Sequence, residues 1–557
     1  MSKKPTRDHK HSPSSAKAAP ASRAALPPDT GAVRPRRDTF FLAGLGLFLL
    51  TGALLFKARL DLMGDDADYI LDAYNFVHHH AYPSFRSSLY GVSLSLPLAL
   101  FGTNVLLLKC FSFLCAVAAW VLLYRAFRGR VAGIVLYPVL IFAAISHHIQ
   151  YYSSSNLSEA FFMMVQYGWL VIVFTLISKQ EQPGRHTRHW LLAGFGGLLL
   201  SLSKNVAVIA PVSLCLFFLL KKKWKQAGLS LGVFLLFKIP YDFLIRAIYG
   251  ANTVVGQMDQ VLAKDMYHHE YGQETFGGFL NRFWLNAQIY FSGTTMKSLG
   301  ITIGEGGMVL TALVVMALLV YALRVAFMRR NDHVLMAGLY TGVMTIVTFF
   351  ALQPAVAQDR IIIILVPLYL LLLLYALNDL VEKLAARLQL AAKWLLTVPL
   401  AIIGVLVLLN TGKEIEKSFP ELTENLSGDT FYGYTPDWAD YLEMGQWVAE
   451  NIPADSVVAA RKPNSLTVYC NGRPFYGIYS FPTDKSADEL LAWLKQERIS
   501  YMILASIRLN PEQYIPNYYI STLHNYVRKI SEKYPEKIRM IHQTTGPEPC
   551  YLVKIEY

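Results

Sequence analysis

Long apolar segments recur along this chain, with clusters of lysine and arginine at alternate joins between them, and that alternation limits the fold more than any motif does. A helix of about 20 apolar residues crosses the hydrocarbon of a bilayer, where backbone polar groups have no water and must pair within the segment. Segments of this kind run over 39–58, 104–124, 131–146, 157–178, 190–220, 227–245, 301–325, 334–352, 360–377 and 394–409. The stretch 190–220 is interrupted by Ser203-Lys204-Asn205 and is expected to form two short paired helices. Basic groups follow at Arg125-Arg128-Arg130, Lys179-Arg185-Arg188, Lys221-Lys222-Lys223-Lys225, Arg329-Arg330 and Lys383-Arg387-Lys393. Cytoplasmic loops carry the excess of lysine and arginine, so each of these ends is placed on the cytoplasmic side.

The expected architecture is a polytopic α-helical membrane protein with about eleven transmembrane helices, by the ~20-residue criterion. It sits in the plasma (inner) membrane, with a cytoplasmic N-terminus and three polar regions outside: 59–102, 246–300 and everything after 410. Hydrophobic residues make up 54% of the chain and charged residues 16%, against about a quarter charged in soluble domains. The net charge of +12 lies mainly beside apolar segments, which favours membrane topology over nucleic acid.

Residues 1–38 mix Lys3, Lys4, Arg7, Arg34, Arg36 and Arg37 with Ser, Ala and Pro, and are expected to be a disordered cytoplasmic tail. The run 39–58 is long for a signal core and has no small-residue cleavage site, so it is read as a retained first helix. Residues 39–410 then form the membrane domain. Residues 411–557 form a small extracytoplasmic α/β domain. Its apolar spacing at Trp438, Tyr441, Leu442, Trp447 and Val448 predicts a helix, 487–497 a second, and 456–460, 467–470 and 501–505 predict strands.

Chemistry concentrates just after the first helix, at Gly64-Asp65-Asp66-Ala67-Asp68-Tyr69. Carboxylates at a membrane surface act as general bases or bind cations. A helix starting here puts Ile70, Ala73, Tyr74 and Val77 on one stripe and Asp65 at its water-facing N-terminus. The same position suits an ordinary N-cap, and local residues alone leave both roles open.

The run Asp65-Asp66-Ala67-x-Tyr69, followed by Ala81-Tyr82-Pro83, Arg86-Ser87-Ser88-Leu89-Tyr90 and Phe101-Gly102, resembles the first outside loop of GT-C glycosyltransferases. It looks most like the branch that contains protein O-mannosyltransferases and lipid A aminoarabinose transferases. Ser87-Ser88 stands where that branch has prolines. Further matches follow in order: Ser155-Asn156-Leu157-Ser158-Glu159, Leu202-Ser203-Lys204, Asp359-Arg360 before Val366-Pro367, and Tyr441-Leu442-Glu443 to Trp447, then Gly472-Arg473-Pro474.

The resemblance implies an inverting transferase. It would move a sugar from a polyprenyl-phosphate donor held with membrane lipid to an extracytoplasmic lipid, glycan or protein acceptor, without a cofactor. It assigns Asp65 as base, Asp66 as a supporting or alternative carboxylate, and Glu159 as a second acidic group orienting the acceptor. Arg86 takes the phosphate-contacting place, with Lys204 and Arg360 as further donor-phosphate groups. Intramembrane cations are usually functional or paired. Arg360 also fits a side chain snorkelling to the interface.

His78-His79-His80 and His268-His269 are poor preformed metal sites because neighbouring side chains diverge, and no metal is expected. The aromatic loop between Met258 and Gly293 suits a cover over the site or an interfacial helix. A transporter, flippase or polymer ligase is the competing class. Transporters usually show paired repeats, which are not evident here. Cys110, Cys115 and Cys215 fall in membrane helices. Cys470 and Cys550 fall outside, either as a bridge or as two buried thiols.

Overall fold

In a computed structural model of the chain the described residues are 38–557, apart from 63–64, 87, 180–185, 251–257, 266–267, 357, 390–391, 514–518 and 521. The tail expected over 1–38 lies outside them, Asp38 excepted.

The first half is built of α1 (Thr39–Leu54), α2 (Asp66–His79), α3 (Ser88–Phe101), α4 (Val105–Phe127), α5 (Gly133–Ile145), the single turn α6 (His147–Tyr151), α7 (Ser158–Lys179), α8 (Thr187–Ser203), α9 (Ala210–Leu220) and α10 (Trp224–Tyr249). Then come α11 (Met258–Leu262), α12 (Phe276–Gln288), α13 (Glu305–Met328), α14 (Asp332–Ala351), α15 (Asp359–Ile363), α16 (Val366–Leu388) and α17 (Ala392–Ser427). Asparagines mark two starts: Asn104 accepts from the Leu107 amide and Asn331 from the Val334 amide, each satisfying an orphan donor of the first turn.

Among the described residues, six helices are long and apolar enough to cross a membrane: α4, α7, α10, α13, α14 and most of α17. Shorter apolar helices add α1, α3, α5 and 205–220. Leu236, Ile239 and Phe243 on α10, Leu310 and Val320 on α13, and Ile402 and Leu409 on α17 are exposed. Apolar faces of this extent belong against lipid, and the chain is a multi-pass membrane protein. α7 lies at the heart, packed on α4 and α8, with Phe162, Leu170, Val173 and Phe174 fully buried.

The expected break in 190–220 is present. α8 stops at Ser203, Lys204 adopts extended backbone, and a 3-10 turn over Asn205–Ile209 leads into α9. The expected helix 360–377 is divided at Ile364-Leu365 into α15 and α16, with Pro367 in the first turn of α16, where its missing N–H costs no bond. The domain boundary expected at 410/411 falls inside α17, which continues to Ser427.

Beyond it come α18 (Pro436–Asn451), α19 (Pro463–Tyr469), α20 (Ala487–Gln496) and α21 (Leu523–Ser531), with β1 (Val457–Ala460), β2 (Tyr476–Gly477), β3 (Ile499–Leu504), β4 (Ile538–Gln543) and β5 (Tyr551–Ile555). The sheet order is β2-β1-β3-β5-β4, with β1 parallel to β2 and β3, and β5 antiparallel to β3 and β4. α18 buries Trp438, Tyr441, Leu442 and Val448 completely, as its spacing predicts.

One expectation fails here, and one left open is decided. Residues 467–470 are not a strand but the end of α19, which Pro463 starts and which packs on α2. Strand propensity of Thr467, Val468 and Tyr469 yields to that packing. Cys470 and Cys550 are not bridged: both are free, buried thiols, and burial pushes Cys470 up to about 12.

Candidate active site

α2 divides its acidic residues between two environments. Asp65 occupies the N-cap position, but its side chain makes no capping hydrogen bond. Instead its Oδ2 lies 2.6 Å from Arg360 Nη2 and 3.9 Å from Arg86 Nε, with the side chain 30% exposed. Three residues on, Asp68 Oδ2 is 2.5 Å from Arg86 Nη2, and Asn464 Nδ2 of α19 donates to its Oδ1. Four further on, Asp72 completes the same helix face. Burial pushes Asp72 up to about 6, Arg86 pulls it down, and Asp68 and Asp65 push it up again.

Asp66 faces the other way. Its carboxylate is wholly buried, 3.0 Å from Lys109 Nζ on α4, and its Oδ2 also accepts from the Asp61 amide. Burial raises its pKa against the attraction of Lys109. One helical residue is a turn of about 100°, enough to carry a side chain from water into the protein. It is Asp68, not Asp66, that shares the open face with Asp65.

Glu159, at the start of α7, is also buried. Its Oε1 is 2.6 Å from Lys204 Nζ, and its Oε2 has no partner among the described residues. The break between α8 and α9 delivers Lys204 to this carboxylate. The pair adjoins the open face, with Glu159 within electrostatic reach of Arg360 and Lys204 within reach of Arg360 and Asp65.

Arg360 comes from the short α15. Asp359 beside it accepts from Thr294 Oγ1 at 2.5 Å, in the π-helical turn Ile289–Thr295. A cavity of about 210 Å³ opens there, lined by His148, Tyr151, Tyr152, Thr294, Asp359 and Ile363. Burial, helped by neighbouring His147, lowers His148 to about 4, so it is neutral at pH 7. From the C-terminal region Lys462 stands within electrostatic reach of Asp68, Asp65 and Asp61.

The structure thus gathers Asp65, Arg86 and Arg360 directly, sets the Glu159–Lys204 pair behind them, and withdraws Asp66. Sequence reasoning missed Asp68, Asp72, Asn464 and Lys462. The spacing 65, 68, 72 is a readable one-face pattern on a helix. Asn464 and Lys462 carried no such signal, because only tertiary packing brings them to α2. Among the described residues no group of three or more His, Cys, Asp or Glu side chains is placed to hold a metal ion. A half-exposed carboxylate beside two guanidinium groups suits an anionic ligand adjoining a site of proton removal.

No protein-family model matches this chain, and no curated protein matches it. Solved structures do. ArnT from Cupriavidus metallidurans in the apo state matches with a TM-score of 0.53 at 12% identity, over 92% of this chain and 97% of that one. The same protein bound to undecaprenyl phosphate gives 0.53 at 11%, over 93% and 98%. The Archaeoglobus fulgidus oligosaccharyltransferase tethered to an acceptor peptide gives 0.53 at 14%, over 84% and 69%. Likeness at these identities is one of fold, which the chain shares with ArnT and with the archaeal oligosaccharyltransferase.

Proposed function

We propose that this chain is an inverting glycosyltransferase that takes a sugar from a polyprenyl-phosphate donor and places it on an acceptor outside the cytoplasm. The observation that carries the reading is the accessible Asp65 carboxylate pinned by Arg360, with Arg86 alongside. Its shared fold with a transferase solved with undecaprenyl phosphate supports the lipid-phosphate donor.

In this reading the donor phosphate competes for the guanidinium groups that hold Asp65 and Asp68. Its arrival occupies Arg360 and Arg86 and frees the Asp65 carboxylate. Asp65 then takes the proton of the acceptor nucleophile as that nucleophile attacks the anomeric carbon. The bond to the phosphate oxygen breaks on the opposite face, its electrons leave with the phosphate, and the configuration inverts. Arg86, Arg360 and Lys204 stabilise the charge that develops on the leaving group. Asp66 is an anchor rather than a catalytic residue, and Glu159 acts through Lys204 as a positioning residue. The N-terminus is cytoplasmic, and the Asp65 face and C-terminal region lie on the far side of the inner membrane.

The test is a panel of radiolabelled polyprenyl-phosphate sugars offered to purified protein in lipid, with total acceptor lipid and glycan extracts. One donor should be consumed, with its label moving to a new molecule. A donor carried across the bilayer unbroken would identify a transporter instead.

A further inference from the structure

A larger cavity than the one beside Arg360 lies in the C-terminal region. It measures about 620 Å³ and opens between the end of α17, the 429–434 loop, the start of α18 and the Gly546-Pro547 turn. Four carboxylates line it, from Glu421, Asp429, Asp440 and Glu443, with Lys417 the one cation among the lining residues. Tyr432 and Tyr434 contribute ring surface. Asp440 is 2% exposed, its Oδ2 takes the Glu548 amide, and its Oδ1 has no partner among the described residues. A buried carboxylate oxygen left unpaired is expensive, and a ligand hydroxyl or amine would satisfy it.

The cavity shares lining residues with spaces nearer the candidate active site. Lys417 and Glu421 line a second, smaller space of about 110 Å³, together with Tyr151. Tyr151 in turn lines the cavity that contains Asp359, the neighbour of Arg360. Shared lining residues thus relate three neighbouring spaces, from the C-terminal region to the one that holds Asp359. Arg59 fixes the junction: it pairs with Glu421 at 2.9 Å and Glu512 at 3.4 Å and lies 4.2 Å over the Tyr434 ring.

We propose that the outer cavity is the acceptor subsite and that it takes a saccharide bearing no negative charge. The proposal rests on the glycosyl-transfer reading for the word acceptor, but not for the binding itself. Carboxylates accept hydrogen bonds from sugar hydroxyls, aromatic rings pack against sugar ring faces, and a volume of this size falls within the usual range for ligand sites. The sign of the charge separates the two substrates. An anionic donor is drawn to Arg86, Arg360 and Lys204 and repelled by Glu421, Asp429, Asp440 and Glu443.

The test uses the full chain in detergent or nanodiscs, without donor, and three probes: a neutral maltotetraose, a cationic glucosamine tetramer and a sulfated tetrasaccharide. Saturation-transfer NMR and equilibrium titration should show saturable binding of the neutral and cationic probes and none of the sulfated one. Tyr432→Ala and Glu443→Gln, both at exposed positions, should each weaken binding at least tenfold, whereas Lys533→Ala, an exposed residue outside the lining, should leave it unchanged. No saturable binding of either favoured probe overturns the proposal, as does undiminished binding in both cavity variants or tight binding of the sulfated probe. Binding that survives when every donor fails would sink the transferase reading and leave a saccharide site. Transfer without such binding would do the reverse.

Discussion

Asp65 and Asp66 are the same side chain on consecutive residues, and the two faces of α2 give them opposite work. The open face carries Asp65, Asp68 and Asp72 toward Arg86, Arg360 and Asn464. The packed face sets Asp66 on Lys109, with Ile70 and Ala73 buried beside it. A carboxylate in contact with water can exchange partners at little cost. One buried with a single lysine cannot, because separation leaves an uncompensated charge in a medium of low dielectric. Helix azimuth, not residue type, leaves one carboxylate open to water and buries the other.

The sharpest way to break that contrast is to neutralise each aspartate in turn. Asp65→Asn should cost roughly 10²–10⁴ in transfer rate while leaving the melting temperature near that of the parent. Asp66→Ala should lower stability by about 3–5 kcal/mol, because it strands Lys109. Thermal melts in detergent and single-turnover rates read the two quantities separately. A stable, inactive Asp66→Ala alongside an active Asp65→Asn would exchange the roles of the two faces.

A second comparison sets the open cation Arg86 against the packed cation Lys204. Arg86→Ala should weaken donor use roughly 10- to 100-fold, the effect of losing about 1.5–3 kcal/mol of charge-assisted hydrogen bonding, with the fold intact. Lys204→Ala should weaken donor use and also lower stability, because Glu159 is then buried alone. Pairing it with Glu159→Gln should restore stability but not donor use. Donor titrations together with melts decide this, and restored donor use in the double variant would reduce Lys204 to a structural role.

The smallest effect concerns Asp72. Its folded pKa of about 6 lies above the ordinary carboxylate value, so between these the folded chain keeps a proton that the unfolded chain has lost. Stability should therefore fall as pH rises from about 4 to about 6, and Asp72→Asn should flatten that slope. Melting curves of both proteins at stepped pH test the sign. A parent that gains stability over this window would show that Arg86 outweighs burial at this face.

Much of the membrane half was legible because lipid imposes a strong code. Apolar length, the Ser203-Lys204-Asn205 break and the start of α2 could all be read from residues 39–410. The C-terminal part obeyed weaker rules. Thr467-Val468-Tyr469 has the composition of a strand, yet contact with α2 made it helix. In the site, Asp65, Arg86 and Arg360 were singled out through a family resemblance, and the structure brings them together. The burial of Asp66 turned on an azimuth fixed by Lys109, about forty residues away along the chain. The Asn464 contact with Asp68 lies beyond any local pattern, since the two are 396 residues apart.

That separation bears on biogenesis. Asp65 is made early, but Arg360, which pairs with it, comes roughly three hundred residues later, after most of the apolar helices, and Asn464 follows later still. Proteins whose contacts join distant parts of the chain complete those contacts last. A nascent chain made only as far as α14 therefore carries its acidic loop without these partners, and the cluster is complete only once Arg360 and Asn464 have been made and have docked.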